Sequence, residues 1–364
     1  MNKLLTINKE PEIALKEFLH FLLEKKKVSG IFSLRKINDK GSVDYGLITD
    51  QENLDEIAPL MPLMPANAGQ ILSRFTPLEK PIAVVTKPCE FRAFIELAKR
   101  EQGTLDNFLL ISSSCSGVFP IKMNASGEIE KHLPDYWEAA KKSEIHPEIR
   151  PTCKACEHFA PENSDILISL VGEDQKTCKM YLHSEKAVKF AEGFDAQVSD
   201  EKFDLSKLDP LLKKRKLEKE NLFSQIDNSQ TKLDGLIDIF GKCIGCHGCN
   251  SVCPICYCTL CDFDSFNFDY NTPILERELE QKGAIRLPPD TLFFHLGRLS
   301  HMSFSCVACG QCSDVCPADI PVAAVFKKTG EQVAGLFDFV PGRNVEEEIP
   351  VMIYKEEEFE ELGK

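Results

Sequence analysis

The chain has 364 residues, is 43% hydrophobic and 27% charged, and carries a formal net charge of −14 and 16 cysteines. That length has room for two or three domains, the apolar and charged content is that of a soluble globular protein, and the acidic excess speaks against nucleic acid as the main partner. No apolar run approaches the roughly 20 residues that span a bilayer, no apolar core follows Met1-Asn2-Lys3-Leu4 as in a signal peptide, and cysteines clumped rather than spread indicate a reducing cytoplasm rather than a disulfide scaffold.

In chain order, residues 10–26 read as an amphipathic helix with Ala14, Leu15, Phe18, Leu19 and Leu22 on one face. Short strands follow at Gly30–Leu34 and Tyr45–Thr49. Ile82–Thr86 is a continuous apolar strand that runs into Lys87-Pro88-Cys89, then a helix from Glu90 to about Arg100, then a strand from Phe108 to Ser112 that ends near Cys115. Strand, loop, helix and strand in this order predict an α/β unit with a largely parallel sheet. Further strands are expected at Asp165–Val171 and Lys179–Leu182, and a helix at Lys186–Ala191. From Ser199 to about Leu233 the chain is charged and helical, a connector whose Lys213-Lys214-Arg215-Lys216 cluster reads as a solvated face. A helix is expected from Leu287-Pro288-Pro289-Asp290 through Leu299, and the acidic stretches Glu346–Glu348 and Glu356–Glu361 read as a solvated tail or a docking strip for a basic subunit.

The C-terminal third repeats one cysteine pattern. Cys243-x2-Cys246-x2-Cys249-x3-Cys253-Pro254 is followed by Cys306-x2-Cys309-x2-Cys312-x3-Cys316-Pro317. This is the bacterial ferredoxin spacing for 4Fe–4S clusters. Cysteines two residues apart on a tight loop aim three thiolates at three corners of a cubane, and the fourth ligand comes from the other run. One cluster is expected on Cys243, Cys246, Cys249 and Cys316, the other on Cys306, Cys309, Cys312 and Cys253. Gly245, Gly248 and Gly310 allow the backbone to approach the sulfides. Zinc rarely uses successive x2 spacings, which sets that reading aside. Thiolates on iron also need protection from oxygen, consistent with an anaerobic host.

Cysteines also mark the N-terminal half. Cys89 and Cys115 each follow a strand, and Cys153-x2-Cys156 lies on a loop before another. Loops after the carboxyl ends of strands converge where α/β sheets bind ligands. On spacing alone two readings stand: a third 4Fe–4S site, or two small buried thiols beside a redox or zinc pair. Cys256, Cys258 and Cys261, at x1 and x2 spacing, fit no standard cluster; they read as ligands of a further metal, as alternates for Cys253, or as plain thiols. Cys178 reads as structural, and His247 and His301 as neighbours of clusters rather than ligands. There is no G-x-S-x-G elbow, no phosphate loop, no C-x3-C-x2-C radical run and no G-x-G-x-x-G fingerprint.

Lys87-Pro88-Cys89-Glu90-Phe91-Arg92-Ala93, Ser114-Cys115-Ser116-Gly117, Cys153-Lys154-Ala155-Cys156 and Ser164-Asp165-Ile166-Leu167-Ile168-Ser169 resemble, in order, the motifs of the beta subunits of coenzyme F420 hydrogenase and formate dehydrogenase. Cys253-Pro254-Ile255-Cys256-Tyr257-Cys258-x2-Cys261 and Gly297-Arg298-x2-His301-Met302 resemble the formate dehydrogenase members in particular. The resemblance covers about residues 15 to 350. It implies a third cluster on Cys89, Cys115, Cys153 and Cys156, and FAD beside the strand ends at Thr86, Lys87 and Asp165, where Lys87 would set a positive charge near flavin or phosphate. It also implies a catalytic formate dehydrogenase or hydrogenase subunit as partner, with heterodisulfide reductase-like subunits as a further possibility. Two features depart from the family pattern. Asn8-Lys9-Glu10-Pro11-Glu12 stands where members have a Gly-Gly-rich loop, an acidic surface that repels phosphate, and Glu157-His158 follows the second cysteine pair where Asp is usual.

The expected organisation is an α/β flavin and cluster domain over residues 1–200, a helical connector over 201–235, a two-cluster ferredoxin-like domain over 236–330 and an acidic tail over 331–364. The expected function is a cytoplasmic iron–sulfur flavoprotein subunit that relays electrons between clusters, FAD and a two-electron carrier such as coenzyme F420. The rival reading is a flavin-free electron wire or docking subunit, which the acidic stretch before the first helix favours.

Overall fold

The computed structural model describes residues 3–38, 41–126, 128–161, 163–230, 233–264, 272–283 and 291–353. Its centre is an eight-stranded mixed sheet in the order β3-β2-β4-β5-β6-β7-β1-β8. The strands are β1 (Lys3–Ile7), β2 (Ile31–Lys36), β3 (Val43–Ile48), β4 (Ile82–Thr86), β5 (Phe108–Ser113), β6 (Ile166–Ser169), β7 (Cys178–Leu182) and β8 (Gln197–Ser199). Only the middle, β2-β4-β5-β6, is parallel; β3 and the β7-β1-β8 side pair antiparallel. The expected largely parallel sheet is therefore corrected to a mixed one. A tight turn can only reverse a strand, and β6 reaches β7 through the short Leu170–Thr177 loop.

The central strands are apolar on both faces, as strands covered by helices on each side must be. Ala83, Val85, Leu109 and Ile111 point into one core with the Pro11–Glu24 helix. Ile82, Val84, Phe108 and Leu110 point into the other, against the Pro88–Lys99 helix. Each such fully buried Val, Leu, Ile or Phe contributes about 1.5–3 kcal/mol. The Pro88–Lys99 helix starts two residues before the expected position. Pro88 takes the first helical position, where its missing N–H costs nothing, and Glu90 accepts the Lys87 backbone N–H at 2.8 Å.

The Asp209–Gln230 helix fills the connector. Its basic cluster is not wholly a solvated face, because Arg215 is 1% exposed. The Thr291–Met302 helix appears where expected, although its predicted start at 287–290 lies outside the described residues. The acidic tail expected over 331–364 is not a solvated tail in its described part: the Val322–Gly335 helix is followed by a segment that packs back on the sheet domain. Phe339 and Ile349 are buried, the Gly342 N–H donates to Glu96 Oε1 at 2.7 Å, and Arg92 Nε donates to the Pro341 carbonyl at 2.8 Å. The Glu346–Glu348 stretch closes this strap, while 356–361 lies outside the described residues. Among the described residues no helix is long and apolar enough to cross a membrane.

Candidate iron–sulfur and ligand sites

The two C-terminal runs fold as mirrored loops, each entering a single helical turn through a left-handed residue, His247 (φ 54°) and Gly310 (φ 85°). Their sulfurs fall into crossed sets. Cys249 is within electrostatic reach of Cys243, Cys246 and Cys316. Cys253 is a neighbour of Cys306, Cys309 and Cys312, and all four line one pocket. Burial pushes Cys249 and Cys306 up to about 11 and Cys309 up to about 12. Buried thiols this reluctant to ionise need a strongly positive ligand to hold them as thiolates, which fits an iron–sulfur cage. Among the described residues no three His, Cys, Asp or Glu converge on a single ion.

The N-terminal cysteines form a third set. Cys115 and Cys153 are electrostatic neighbours of each other and of Cys156, and Cys89 of both Cys115 and Cys153. The set is built by close backbone approach. Gly117 has φ 110°, and a side chain there would meet Ile149 and Cys153. The four-residue helix Pro151–Lys154 carries Cys153 and docks on the second C-terminal loop. There a Cβ on Gly310 would lie 2.1 Å from Thr152 Oγ1.

Four arginines, none of them a site residue in the sequence reading, tie the sets together. Arg298 is 3% exposed and donates to Cys249 Sγ and the Cys249 carbonyl, both at 3.1 Å. The neighbouring Cys249, Cys256, Cys253 and Cys312 outweigh its burial and raise its pKa, which sets it between the first and second sets. Arg92 lies between the second and third: burial lowers its pKa, opposed by Cys156, Cys89 and Cys306. Arg150 pairs with Asp314 at 2.6 Å and its Nη1 donates to the Cys309 carbonyl at 3.4 Å. Arg215 donates to the carbonyls of Cys115 at 3.1 Å and Cys156 at 3.4 Å. A signal for two of them was present in the sequence. Arg92 and Arg298 stand on the apolar faces of their helices, beside Phe91 and four residues after Phe294, where a charge is placed only with a buried partner.

The expected flavin residues do not converge. Thr86 and Lys87 cap β4, whereas Asp165 precedes β6 two strands away. By register Asp165 stands level with Leu110, three residues or about 10 Å lower. There it accepts the Leu110 N–H at 2.9 Å and the Ser184 hydroxyl at 2.6 Å and pairs with Lys186 at 2.7 Å, a structural clamp. Lys87 is not an ordinary exposed lysine: it is 9% exposed, 3.9 Å from Glu90 and over the Tyr45 ring. Thr86 and Lys87 line a crevice with Cys115 and Ser116 of about 20 Å³, room for about one water. That crevice is too small for FAD, although the hydroxyls of Thr86 and Ser116 are buried there without a partner. Nor does the first helix offer a phosphate site, with Pro11 at its first position and Glu12 in its first turn.

A cavity of about 770 Å³ does have the size. It opens beside the third set and is walled by Phe91, Arg92, His158, Phe159, Leu208 and, from the strap, Arg343. Glu157 pairs with Lys219 and Glu347 with Arg343, and Asp209 is a third carboxylate of the lining. Arg92 first, then burial, then Lys327, Lys219 and Arg343 hold His158 down at about 2, so cations surround that imidazole. A volume in the ligand-site range, apolar walls and a few convergent cations fit a flavin dinucleotide. His247 stacks on Phe294 at 4.3 Å, and Cys178 is buried in β7.

The family model of a 4Fe-4S dicluster domain matches residues 239–320. The F420-dependent formate dehydrogenase 1 subunit beta of Methanococcus maripaludis is 30% identical over 365 residues, 91% of this chain and 90% of that one. The chain belongs to the family of F420-dependent formate dehydrogenase beta subunits. The Methanocaldococcus jannaschii F420-dependent formate dehydrogenase subunit beta is 28% identical, covering 88% of this chain and 89% of its own. A chain of the F420-reducing NiFe hydrogenase complex from Methanosarcina barkeri is similar over 63% of this chain and 91% of that one, at 12% identity and a TM-score of 0.44. As a member of the beta-subunit family this chain is an oxidoreductase subunit with an electron-transfer role, and a beta subunit implies a catalytic partner.

Proposed function

We propose that this subunit carries electrons from a formate-oxidising catalytic partner through three 4Fe–4S clusters to FAD and on to a deazaflavin of the coenzyme F420 type. The observation that carries the reading is the row of three cysteine sets with Arg298 at one junction, Arg92 and Arg150 at the other, and the cavity lined by Arg92 and Arg343 beyond the last set. The ligands would be Cys243, Cys246, Cys249 and Cys316; Cys253, Cys306, Cys309 and Cys312; and Cys89, Cys115, Cys153 and Cys156. FAD, when bound, supplies the change from one-electron to two-electron transfer. Arg92 and Arg343 would face its pyrophosphate, Phe91, Phe159 and Leu208 would cover its apolar parts, and the strap would exclude water. The division is then a sheet domain, a helical connector, a dicluster domain and a strap.

Anaerobic purification with the partner tests it. About 12 iron atoms per chain, releasable FAD and formate-dependent F420 reduction are expected. Arg343→Ala should weaken FAD retention roughly tenfold or more, the loss of one charge-assisted bond of about 1.5–3 kcal/mol, and Lys87→Ala should leave flavin content unchanged. Full iron and partner-driven cluster reduction without flavin or F420 turnover would overturn the flavin reading. That result favours the second reading, an electron wire to a heterodisulfide reductase-like or ferredoxin partner. The proline and glutamate where a flavin-binding helix start would lie speak for the wire.

A further inference from the structure

Four cysteines remain that no cluster set uses, Cys178 buried in β7 and three others. Cys256, Cys258 and Cys261 line one cavity of about 560 Å³ with Arg100, Arg298 and His301. Cys258-Thr259-Leu260-Cys261 is a C-x2-C pair, with Cys258 exposed and Cys261 half-buried. The three thiols and His301 do not close on a single ion among the described residues. They face open space instead, and that space abuts the second cluster set. Ile255, Arg298 and Met302 line both this cavity and the pocket of Cys253, Cys306, Cys309 and Cys312. Cys256 bridges the wall: its thiol hydrogen-bonds Cys253 on one side, and its sulfur lies 3.8 Å from Met302 Sδ. A line of sulfur atoms therefore leads from a cluster ligand to a cavity that holds a dithiol. Arg100 and Arg298 supply positive charge, and no carboxylate is among the described residues lining the cavity.

We propose that this cavity is a second redox outlet, where Cys258 and Cys261 cycle between dithiol and disulfide to reduce a small anionic disulfide. The exposed Cys258 thiolate attacks one sulfur of the substrate; a mixed disulfide forms and one thiolate leaves. Cys261 attacks Cys258, closing the Cys258–Cys261 disulfide and releasing the second thiolate. The two leaving thiolates take up the two protons that the cysteines gave up. Two electrons, delivered singly by the adjacent relay, and two solvent protons then restore both thiols. The inference needs only the dicluster domain, so it stands or falls separately from the flavin.

Differential alkylation and mass spectrometry on the cluster-loaded, full-length protein test it. Poised oxidising, Cys258 and Cys261 should become one cross-linked pair; poised reducing, both should be alkylated, with Cys178 a thiol throughout as control. Cys258→Ser should abolish the cross-link at unchanged iron content. In Cys261→Ser, dianionic 5,5′-dithiobis(2-nitrobenzoate) should trap a mixed disulfide at Cys258 faster than dicationic cystamine does. Thiols that stay reduced while the clusters are fully oxidised would overturn the proposal, as would bound zinc. Loss of about four iron atoms in Cys258→Ser would overturn it in favour of a further cluster.

Discussion

Replacing Arg298 should move the reduction potential of the first C-terminal cluster. The guanidinium is 3% exposed, donates to Cys249 Sγ at 3.1 Å and sits over Phe294 and Phe326, so little water screens it. An electron added to the cage gains its attraction. At about 5 Å and an effective dielectric of about 20 the gain is roughly 3 kcal/mol, and at about 59 mV per tenfold for one electron that is about 140 mV. Part is returned by relaxation and residual water, so Arg298→Met should lower that potential by roughly 70–140 mV. Arg298→Lys should fall in between, keeping charge but losing the fork that reaches sulfur and carbonyl together. The assay is a redox titration of the full chain followed by electron paramagnetic resonance, with iron measured on the same sample. A shift below about 20 mV at full iron content, far under the Coulomb value, would refute the reasoning, because the cation would then be screened despite its burial.

Other outcomes follow from the same contacts. Cys316→Ser should disturb the cluster shared with Cys243 and leave the resonance of the Cys306 set intact; the reverse pattern rejects crossed ligation. The double change Cys153→Ser, Cys156→Ser should lower iron by about four atoms per chain, and unchanged iron would mean structural thiols. His295 is 1% exposed and stacked on Phe240, and burial, then Arg298, then His247 hold it down at about 4. Its folded pKa lies below the unfolded value of about 6.5, so the unfolded chain binds more protons between the two, and stability falls as pH drops through that window. The loss is about 2 kcal/mol at pH 5; denaturant unfolding of His295→Phe should lack that loss, and identical pH profiles would reject the assignment.

What the sequence made legible depended on how local its signal was. The crossed cysteine sets were expected from spacing within two short loops, whereas strand-end cysteines alone left a cluster or plain thiols beside a redox or zinc pair open, and only the family resemblance pointed to a third set. The arginines were missed because their partners lie far along the chain, Arg298 with Cys249 and Arg92 with Pro341. The strap was missed because Phe339 and Ile349 are sparse apolar residues among charges, too few to set a period. β1 is five residues, of which Leu4, Leu5 and Ile7 are buried without a clean alternation, and its partners β7 and β8 lie over 170 residues away. Asp165 was placed at a ligand crevice because its strand was recognised but not which end of that strand faced the cysteines.

The buried arginines also bear on how the molecule folds. Arg150 has a carboxylate partner in Asp314, so its charge is met by the protein alone. Arg298 makes no ion pair with a carboxylate among the described residues; its contacts are Cys249 and Cys256. A guanidinium left in the interior without a counter-charge costs several kcal/mol. The bare thiols supply that charge only in part: burial pushes Cys249 up to about 11, while the Cys256 hydrogen bond brings Cys253 down to about 6. Thiolates on iron supply it in full. The cation that tunes the cluster is thus stabilised by it, and iron loading and the closure of the Phe240, Phe326 and Met302 core around Arg298 form one linked equilibrium. The sheet domain has its own two apolar faces and needs no such help. Where the two meet, Thr152 beside Cys153 packs against Gly310 beside Cys309, so the third set and the second share one close backbone contact.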